Sequence, residues 1–462
     1  MLLKSSIKDL KSILKADNVL SNEEECYCYA EDAANLKTSY SAPDVVLFVE
    51  TIEDVQNVLK YANQHSIPVV CRGAGTNTVG ACVCEKGGIV LNFSKMNKIL
   101  DFSPEDMTMR VQAGAVLGEI KALAESRGLY YPPDPSNFKV STIGGSIAQS
   151  SGGAKSFKYG TTKDYILSLT VVLADGNVMK IGSGTIKDAA GYHLNQLMVG
   201  SEGTLAVVVE AELKLIPKPE ASAVISAYFD NIQSAVSGVN RIIGSSIFPS
   251  TIDFMDNNSI KTVESFYPCG LDISKECVLL IEVEGLKVSM EHQVSLVSEA
   301  LKSSGASAIN CAYDDVQKEN LWTARRASYA ATAKLAPDVV TDDIIVPRSK
   351  LAKMVEGVQK ICAEHGLQTC IVGHIGDGNL HPQIALNLEN DEEFKNCMEA
   401  KAKMYELVLS LGGSLTAEHG IGIEKRAFAE KYMDKYALEY MKRIKNLFDP
   451  KGILNPGKIF RV

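Results

Sequence analysis

Two of the seven histidines in this 462-residue chain lie in one short segment, Gly373-His374-Ile375-Gly376-Asp377-Gly378-Asn379-Leu380-His381. The segment reads as a strand, a Gly-Asp-Gly turn and a second strand. A tight turn there places His374 and His381 side by side, as chelation requires. A second cluster, Ala417-Glu418-His419-Gly420-Ile421-Gly422, follows Gly412-Gly413-Ser414-Leu415-Thr416, which reads as a loop entering a strand. Its glycines allow Glu418 and His419 to turn towards one cavity. Two imidazoles and a carboxylate suit a divalent Zn, Mn or Fe ion with positions left open for substrate oxygens. Ala363-Glu364-His365-Gly366 repeats the same letters but closes the amphipathic helix Leu351 to His365. There a histidine in the last turn and a glycine beyond it serve capping and the helix dipole. His65 also ends a helix, and His193 and His292 have no partner motif. All four are expected to be structural.

A phosphate cradle needs successive backbone N–H groups pointing inward and no Cβ in the way. Arg72-Gly73-Ala74-Gly75-Thr76-Asn77 offers this after a strand, with a cation and two small polar side chains. Ile143-Gly144-Gly145-Ser146 and Ser151-Gly152-Gly153 offer a second wall, next to the proline-fixed Pro132-Pro133-Asp134-Pro135. The dinucleotide fingerprint Gly-x-Gly-x-x-Gly does not occur, the Walker motif fails because Gly457-Lys458 is followed by Ile459, and His-Glu-x-x-His is missing. A Rossmann dehydrogenase, a P-loop enzyme and a zincin are set aside.

The elements that must position these residues follow from periodicity. Val45 to Val49 reads as a strand. Thr51 with Asp54 forms a capping box for a helix with Val55, Val58, Leu59 and Ala62 at helical spacing, and Ile67 to Cys71 is the next strand. Further strands are expected at 88–93, 107–113, 166–173 and 204–216, and a helix at 117–127. Pro217 and Pro219 mark a domain boundary. Beyond it, strands at 225–229, 278–283 and 370–374 alternate with helices at 289–301 and 351–365, and the tail holds a helix at 436–448. The expected domains are 1–218, 219–440, and a C-terminal segment 441–462 that returns to the first.

Composition narrows the class. Lys plus Arg is 47 against Asp plus Glu at 56, a formal charge of -9. An acidic chain without a basic run lacks the footprint of a nucleic-acid binder and the clusters that hold proteins on anionic membranes. No apolar run approaches the roughly 20 residues that cross a bilayer. Ser5 to Lys15 is interrupted by Lys8, Asp9 and Lys11, so no signal peptide is expected there and the expected location is cytoplasmic. Eleven cysteines without any Cys-x-x-Cys argue against a zinc ribbon or a cysteine-ligated iron–sulfur cluster.

Several motifs occurring in order resemble those of the FAD-linked oxidases, the vanillyl-alcohol oxidase fold, in the branch of the glycolate oxidases and D-lactate dehydrogenases. They are Arg72-Gly-x-Gly-Thr-Asn77, Pro133-Asp134-Pro135, Ser141-Thr142-Ile-Gly144-Gly145, Ser151-Gly152-Gly153, Lys158-Tyr159-Gly160 with Asp164, and Gly200-Ser-Glu202-Gly203-Thr. The likeness runs from about Thr38 to the C-terminus. It implies an α+β, two-domain FAD-binding fold with an α+β substrate (cap) domain. It also implies that the loops Arg72 to Asn77 and Gly144 to Gly153 hold the pyrophosphate and flavin, with Asn455 of Leu454-Asn-Pro-Gly457 returning to the flavin. Members that bind flavin covalently often carry His in the first loop; Thr76 and Asn77 stand there in this chain, so noncovalent FAD is expected.

In that family, motifs matching His374 to His381 and Glu418-His419-Gly420 bind a metal and provide a base. Carried over, His374, His381 and Glu418 are the metal ligands and His419 is the general base. Arg325, in Leu321-Trp322-Thr-Ala-Arg325-Arg326, matches the arginine that takes the substrate carboxylate. Relatives acting on 2-hydroxyglutarate tend to carry another basic residue before the Val-Pro pair; here Asp338-Val-Val-Thr341-Asp342-Asp343 has none, which favours a small monocarboxylate. The resemblance therefore implies a FAD- and metal-dependent D-2-hydroxyacid dehydrogenase acting on D-lactate. It would pass electrons to an electron-transferring flavoprotein or an iron–sulfur subunit, and the former extends to NAD-coupled electron bifurcation. A glycolate oxidase-type enzyme, a D-2-hydroxyglutarate dehydrogenase, a direct oxidase and a non-catalytic flavin-carrying subunit are the alternatives.

Overall fold

The computed structural model describes residues 4–37 and 42–461; Thr38, where the family likeness begins, lies outside the described residues. The chain divides into two units. One comprises Met1–Ser151, Thr161–Lys218 and Glu418–Val462, the other Gly152–Gly160 and Pro219–Ala417. No helix among the described residues is long and apolar enough to cross a membrane.

In the first unit, β1 (Val19–Leu20), β2 (Val45–Phe48), β3 (Val69–Arg72) and β4 (Ile89–Asn92) form a sheet in the order β1-β2-β4-β3. β4 runs parallel to both β2 and β3. The helix Ile52–His65 links β2 to β3. Thr51 and Asp54 make the reciprocal capping box, and Val55, Val58, Leu59 and Ala62 are the buried stripe, as their spacing requires. Next come β5 (Ile99–Ser103), β6 (Thr108–Gln112), the short β7 (Leu129–Tyr130), β8 (Ile166–Val172), β9 (Val178–Gly182), β10 (Val207–Lys214) and β11 (Ile216–Pro217). β5-β6-β10-β8-β9 is an antiparallel sheet, and β7 pairs with β11. Burial in β10 alternates strictly, the period of a half-buried strand.

The C-terminal segment belongs to this unit. Val69 donates to Ile453 O and Asn455 donates to Val69 O, both at 2.8 Å, so Leu454 lies alongside β3. Ile453 and Leu454 share one core with Leu47, Leu59, Ile89 and Leu91. The segment enters the unit at Glu418, earlier than residue 441, because the backbone of 421–424 is bonded to Glu202 and Val79. Residues 152–160 go with the other unit for an electrostatic reason. Lys155 pairs with Glu282 and Glu284, Lys158 pairs with Glu284, and the Tyr159 hydroxyl donates to Glu284.

The second unit contains β12 (Ala221–Phe229), β13 (Thr251–Asp256), β14 (Cys277–Gly285), β15 (Ala308–Ala312), β16 (Asp338–Thr341), β17 (Ile344–Ile345), β18 (Gln368–His374) and β19 (Asn379–Leu386). They form an eight-stranded sheet ordered β15-β12-β14-β13-β18-β19-β16, with β17 also on β19. All its pairings are antiparallel. β13 is buried along its whole length despite two aspartates. Asp256 is accounted for by capping, since it accepts from Ser259 N and Oγ and from Ile371 N. Asp253 is spent elsewhere. The stretch after Gly413 is not a strand: Ser414 makes one bridge to Ile345, after which the chain is irregular.

Candidate active site

β3 delivers Arg72 into the first glycine loop. Gly75 has φ +71°, and a Cβ there would meet the Arg72 guanidinium at 2.2 Å, so the arginine lies folded over the loop. Arg72 also donates to Glu31 O at 2.7 Å, which makes it a brace of the loop. Asn77 closes the far side, its Oδ1 accepting from Val79 N and Ala81 N. Among the described residues the N–H groups of Ala74, Gly75 and Thr76 donate to no protein acceptor.

The second glycine wall works differently. Thr142 caps the helix Ile143–Gln149, accepting from Gly145 N, while Ile143 N and Gly144 N donate to Ala115 O and Ala113 O. A Cβ on Gly144 would stand 2.9 Å from Ala113 O, and one on Gly73 only 2.2 Å from Thr142 Oγ1. The Gly144 amide is thus committed to the protein, and Gly73 and Gly144 let loop, strand and helix close up. Arg72, Gly73, Thr142, Gly144, Ser201 and Gly203 border an open cleft. Ser141 Oγ and Asn455 Oδ1 are buried with no protein partner. Three unpartnered amides and two orphaned buried oxygens fit an extended polar, phosphate-bearing cofactor such as FAD.

The other residues expected at the nucleotide take structural partners. Asp134 pairs with Lys121 at 3.0 Å. Asp164 accepts from Thr161 N at 2.8 Å within a capping box. Ser151 O accepts from Thr162 N, and Gly152, Gly153, Tyr159 and Gly160 belong to the second unit. Glu202 and Asn455 both adopt left-handed backbone, φ +51° and +42°. Asn455 Nδ2 donates to Ala81 O and Glu202 O, while the Glu202 carboxylate accepts from Ile421 N and Gly422 N at 2.7 and 2.9 Å.

In the second unit β18 and β19 make the histidine hairpin. Gly378, at φ +98°, permits the turn, since a Cβ would lie 2.1 Å from Val346 O. The two imidazoles stand 5.3 Å apart, edge to face. His374 turns Nδ1 to Asp253 Oδ1 at 2.7 Å, and Arg325 Nε meets Asp253 Oδ2 at 2.9 Å. Burial pushes the Asp253 carboxyl up, but His374 and Arg325 pull it further down, leaving it below the usual carboxylate range. His381 Nδ1 faces Asp343 Oδ1 at 3.8 Å. Asp343 is buried and accepts from Asn379 Nδ2, Thr416 Oγ1 and Ala417 N at 2.8, 2.6 and 2.8 Å. The carboxylate hydrogen-bonded to Nδ1 fixes the His374 imidazole so that its Nε2 edge serves a metal, which is the arrangement common to histidine ligands, and His381 stands beside it with the Asp343 carboxylate nearby. The residues present therefore fit a divalent ion.

Glu418 and His419 follow directly on Ala417, with Glu418 Oε1 4.0 Å from His419 Nε2. Of the other histidines, His365 caps its helix, Nδ1 lying 2.7 Å from Ile361 O, and His65 stacks near Tyr61 at 4.4 Å. Asp253 and Asp343 are the site residues that spacing did not reveal. The one available signal was the aspartates standing in two otherwise strand-like runs, 251–256 and 338–345.

Comparison with known proteins gives a consistent picture. The family described as FAD binding domain matches residues 43–182, and that of FAD linked oxidases, C-terminal domain, matches 218–459. The chain is 40% identical over 420 residues to glycolate oxidase subunit GlcD of Bacillus subtilis (strain 168), covering 91% of this chain and 89% of that one. It is 34% identical to a D-lactate dehydrogenase of Anaerostipes hadrus, covering 90% and 89% of the two chains. It is 32% identical to a D-2-hydroxyglutarate dehydrogenase of Stutzerimonas stutzeri (strain A1501), covering 98% of each. Among solved structures, p-cresol methylhydroxylase superposes with a TM-score of 0.82 at 16% identity, covering 99% of this chain and 96% of that one. That likeness establishes the fold alone.

Proposed function

From the premise that this chain belongs to the FAD-linked oxidases of the vanillyl-alcohol oxidase fold, in the group of D-lactate, glycolate and D-2-hydroxyglutarate dehydrogenases, we propose that it oxidises D-lactate to pyruvate. The observation that carries the reading is the chain Arg325–Asp253–His374, in which one buried carboxylate orients a guanidinium and an imidazole together. When bound, FAD supplies a two-electron acceptor, and a divalent Zn, Fe or Mn supplies the charge that lowers the pKa of a nearby hydroxyl.

Oxidation of a 2-hydroxy acid removes a proton from oxygen and a hydrogen with its electron pair from Cα. The chain's own part is to bind, orient and take the proton. Arg325, ion-paired through its Nε side with Asp253, offers its two Nη groups to the substrate carboxylate in a fork. His419 accepts the hydroxyl proton. His374, His381 and Glu418 hold the metal. Ala417 N–H is anchored on Asp343, the carboxylate facing His381. The loop Ala74 to Thr76, with Ser141 and Asn455, holds noncovalent FAD.

The region 338–343 supports a small monocarboxylate. Its neighbouring cation, Lys401, is buried against Asp342 at 3.4 Å, and the Tyr405 hydroxyl donates to the same carboxylate at 3.0 Å. Neither is left for a second substrate carboxylate. The 40% identity to a glycolate oxidase subunit favours glycolate as the second reading. The electron acceptor is proposed to be an electron-transferring flavoprotein, with NAD-coupled bifurcation as its extension and cytoplasmic location accordingly.

The test is an anaerobic titration of the flavin absorbance with D-lactate, L-lactate, glycolate and D-2-hydroxyglutarate. Bleaching by D-lactate at the lowest concentration supports the reading. Preference for glycolate moves it to the second, and no bleaching of the FAD- and metal-loaded protein overturns both. His419→Ala is expected to abolish bleaching while FAD stays bound.

A further inference from the structure

Glu202 stands outside the chemistry proposed above, yet it is built into the first unit at considerable cost. It is almost fully buried, carries a left-handed backbone, and has burial pushing its carboxyl up to about 7. Non-glycine residues adopt that backbone rarely, and such departures gather where function requires them. Its neighbours Ser201 and Gly203 border the cleft that fits FAD. Its main chain is pinned on both sides, Glu202 N donating to Ala148 O and Glu202 O accepting from Asn455 Nδ2. The carboxylate is spent entirely on another segment, each oxygen taking one amide of the pair Ile421 and Gly422. These amides come two and three residues after His419.

The fit leaves little slack. A Cβ on Gly420 would stand 2.8 Å from Glu202 Oε1 and 2.4 Å from Gln149 Oε1, and one on Gly422 only 2.1 Å from Val79 O. On the far side Ile423 N and Glu424 N both donate to Val79 O. When ionised, the carboxylate makes charge-assisted bonds to two consecutive amides, each about twice as strong as a neutral one. Capping does not explain them, because no helix begins at Ile421; the next one starts at Arg426.

We infer that Glu202 is a positioning residue, tying the loop that borders the flavin cleft to the backbone that carries His419, and so setting the base relative to the cofactor. This revises the expectation that Glu202 itself contacts the cofactor, and it rests on the reading of His419 as the base. Glu202→Gln keeps the shape but replaces one accepting oxygen with a donor facing an amide. A base displaced by a fraction of an ångström to an ångström loses rate rather than binding, so the single-turnover rate of flavin reduction, per bound FAD, is expected to fall about 10- to 100-fold. The Kd for FAD and the KM for substrate are expected to stay within about 3-fold. Amide exchange over 419–424 should accelerate in the same variant.

A merely structural Glu202 would lower Tm with the rate per bound FAD unchanged. A cofactor ligand would lose FAD affinity instead. Either result overturns the inference. Glu202→Asp, which retains the charge but shortens the reach, gives the same readouts should the glutamine variant fail to fold. His419→Ala measured alongside separates the two ideas. If it leaves flavin reduction intact, the base assignment fails; if it abolishes reduction while Glu202→Gln does not slow it, only the Glu202 inference fails.

Discussion

At the scale of single residues, the chemistry proposed for the second unit turns on Asp253 more than on the histidines that the motifs display. An imidazole free to rotate offers either nitrogen to an ion; one held at Nδ1 by a carboxylate offers Nε2 in a fixed direction. Asp253→Asn removes the charge behind both His374 and Arg325. Metal affinity should fall about 10- to 100-fold, read by equilibrium dialysis, with a rise in KM for the hydroxy acid in the same variant. Arg325→Lys should keep metal affinity and raise KM about 10-fold or more, because a point charge cannot make the paired hydrogen bonds of a guanidinium. A variant that shifts metal and KM together thus differs from one that shifts KM alone. The glycine-loop motif was legible as a cradle, but the role of Arg72 was not. Folding over Gly75 and donating to Glu31 O are contacts no spacing encodes.

At the scale of elements, periodicity and capping signals placed the supporting strands and helices closely. The helix Ile52–His65 with its capping box and the strands around the histidine hairpin formed where the pattern put them. The hairpin depends on Gly378, and alanine there would push a Cβ to 2.1 Å from Val346 O at an unfavourable φ. Gly378→Ala is expected to lower unfolding free energy by about 2 kcal/mol or more and to weaken metal binding, checked by denaturant melts and dialysis. In the first unit, Gly73→Ala would drive a Cβ into Thr142 Oγ1. The expected result is weakened FAD binding with a fold that still melts cooperatively, because the change separates the loop from its helix without touching the buried sheet. The stretch after Gly413, expected as a loop entering a strand, forms a single bridge at Ser414 and no strand. Its glycines and apolar Leu415 carry no ladder, and its polar groups are instead taken up by Asp343.

At the scale of the whole molecule, the buried Glu202 gives stability a pH signature. Its carboxyl rises from 4.5 to about 7 in the fold. A group whose folded pKa is raised contributes stability fully below its unfolded pKa, and that contribution is lost as pH rises through the folded one. Between 4.5 and about 7 the wild type should therefore lose this contribution while Glu202→Gln does not. The unfolding free energy of the variant relative to wild type should grow across that window in denaturant melts. A flat difference would mean that the carboxyl is not held in a perturbed state. Electron transfer belongs to this scale too. Reduced enzyme reoxidised by an electron-transferring flavoprotein, and only slowly by oxygen, is the expected outcome of reconstitution, and rapid reoxidation in air would make the protein an oxidase.

The amino-acid sequence by itself determined what depends on near neighbours: the cap and stripe of Ile52–His65, the turn that brings His374 beside His381, and the glycine loop that leaves amides unpartnered. These are local because backbone conformation answers to residues within a turn or two. Tertiary structure alone decided which carboxylates stand behind those histidines. Asp253 reaches His374 because β13 neighbours β18 in the sheet, and Asp343 reaches Asn379 because β17 pairs with β19. Strand order is a property of the packed sheet, so residues far apart in sequence became partners that no spacing rule records.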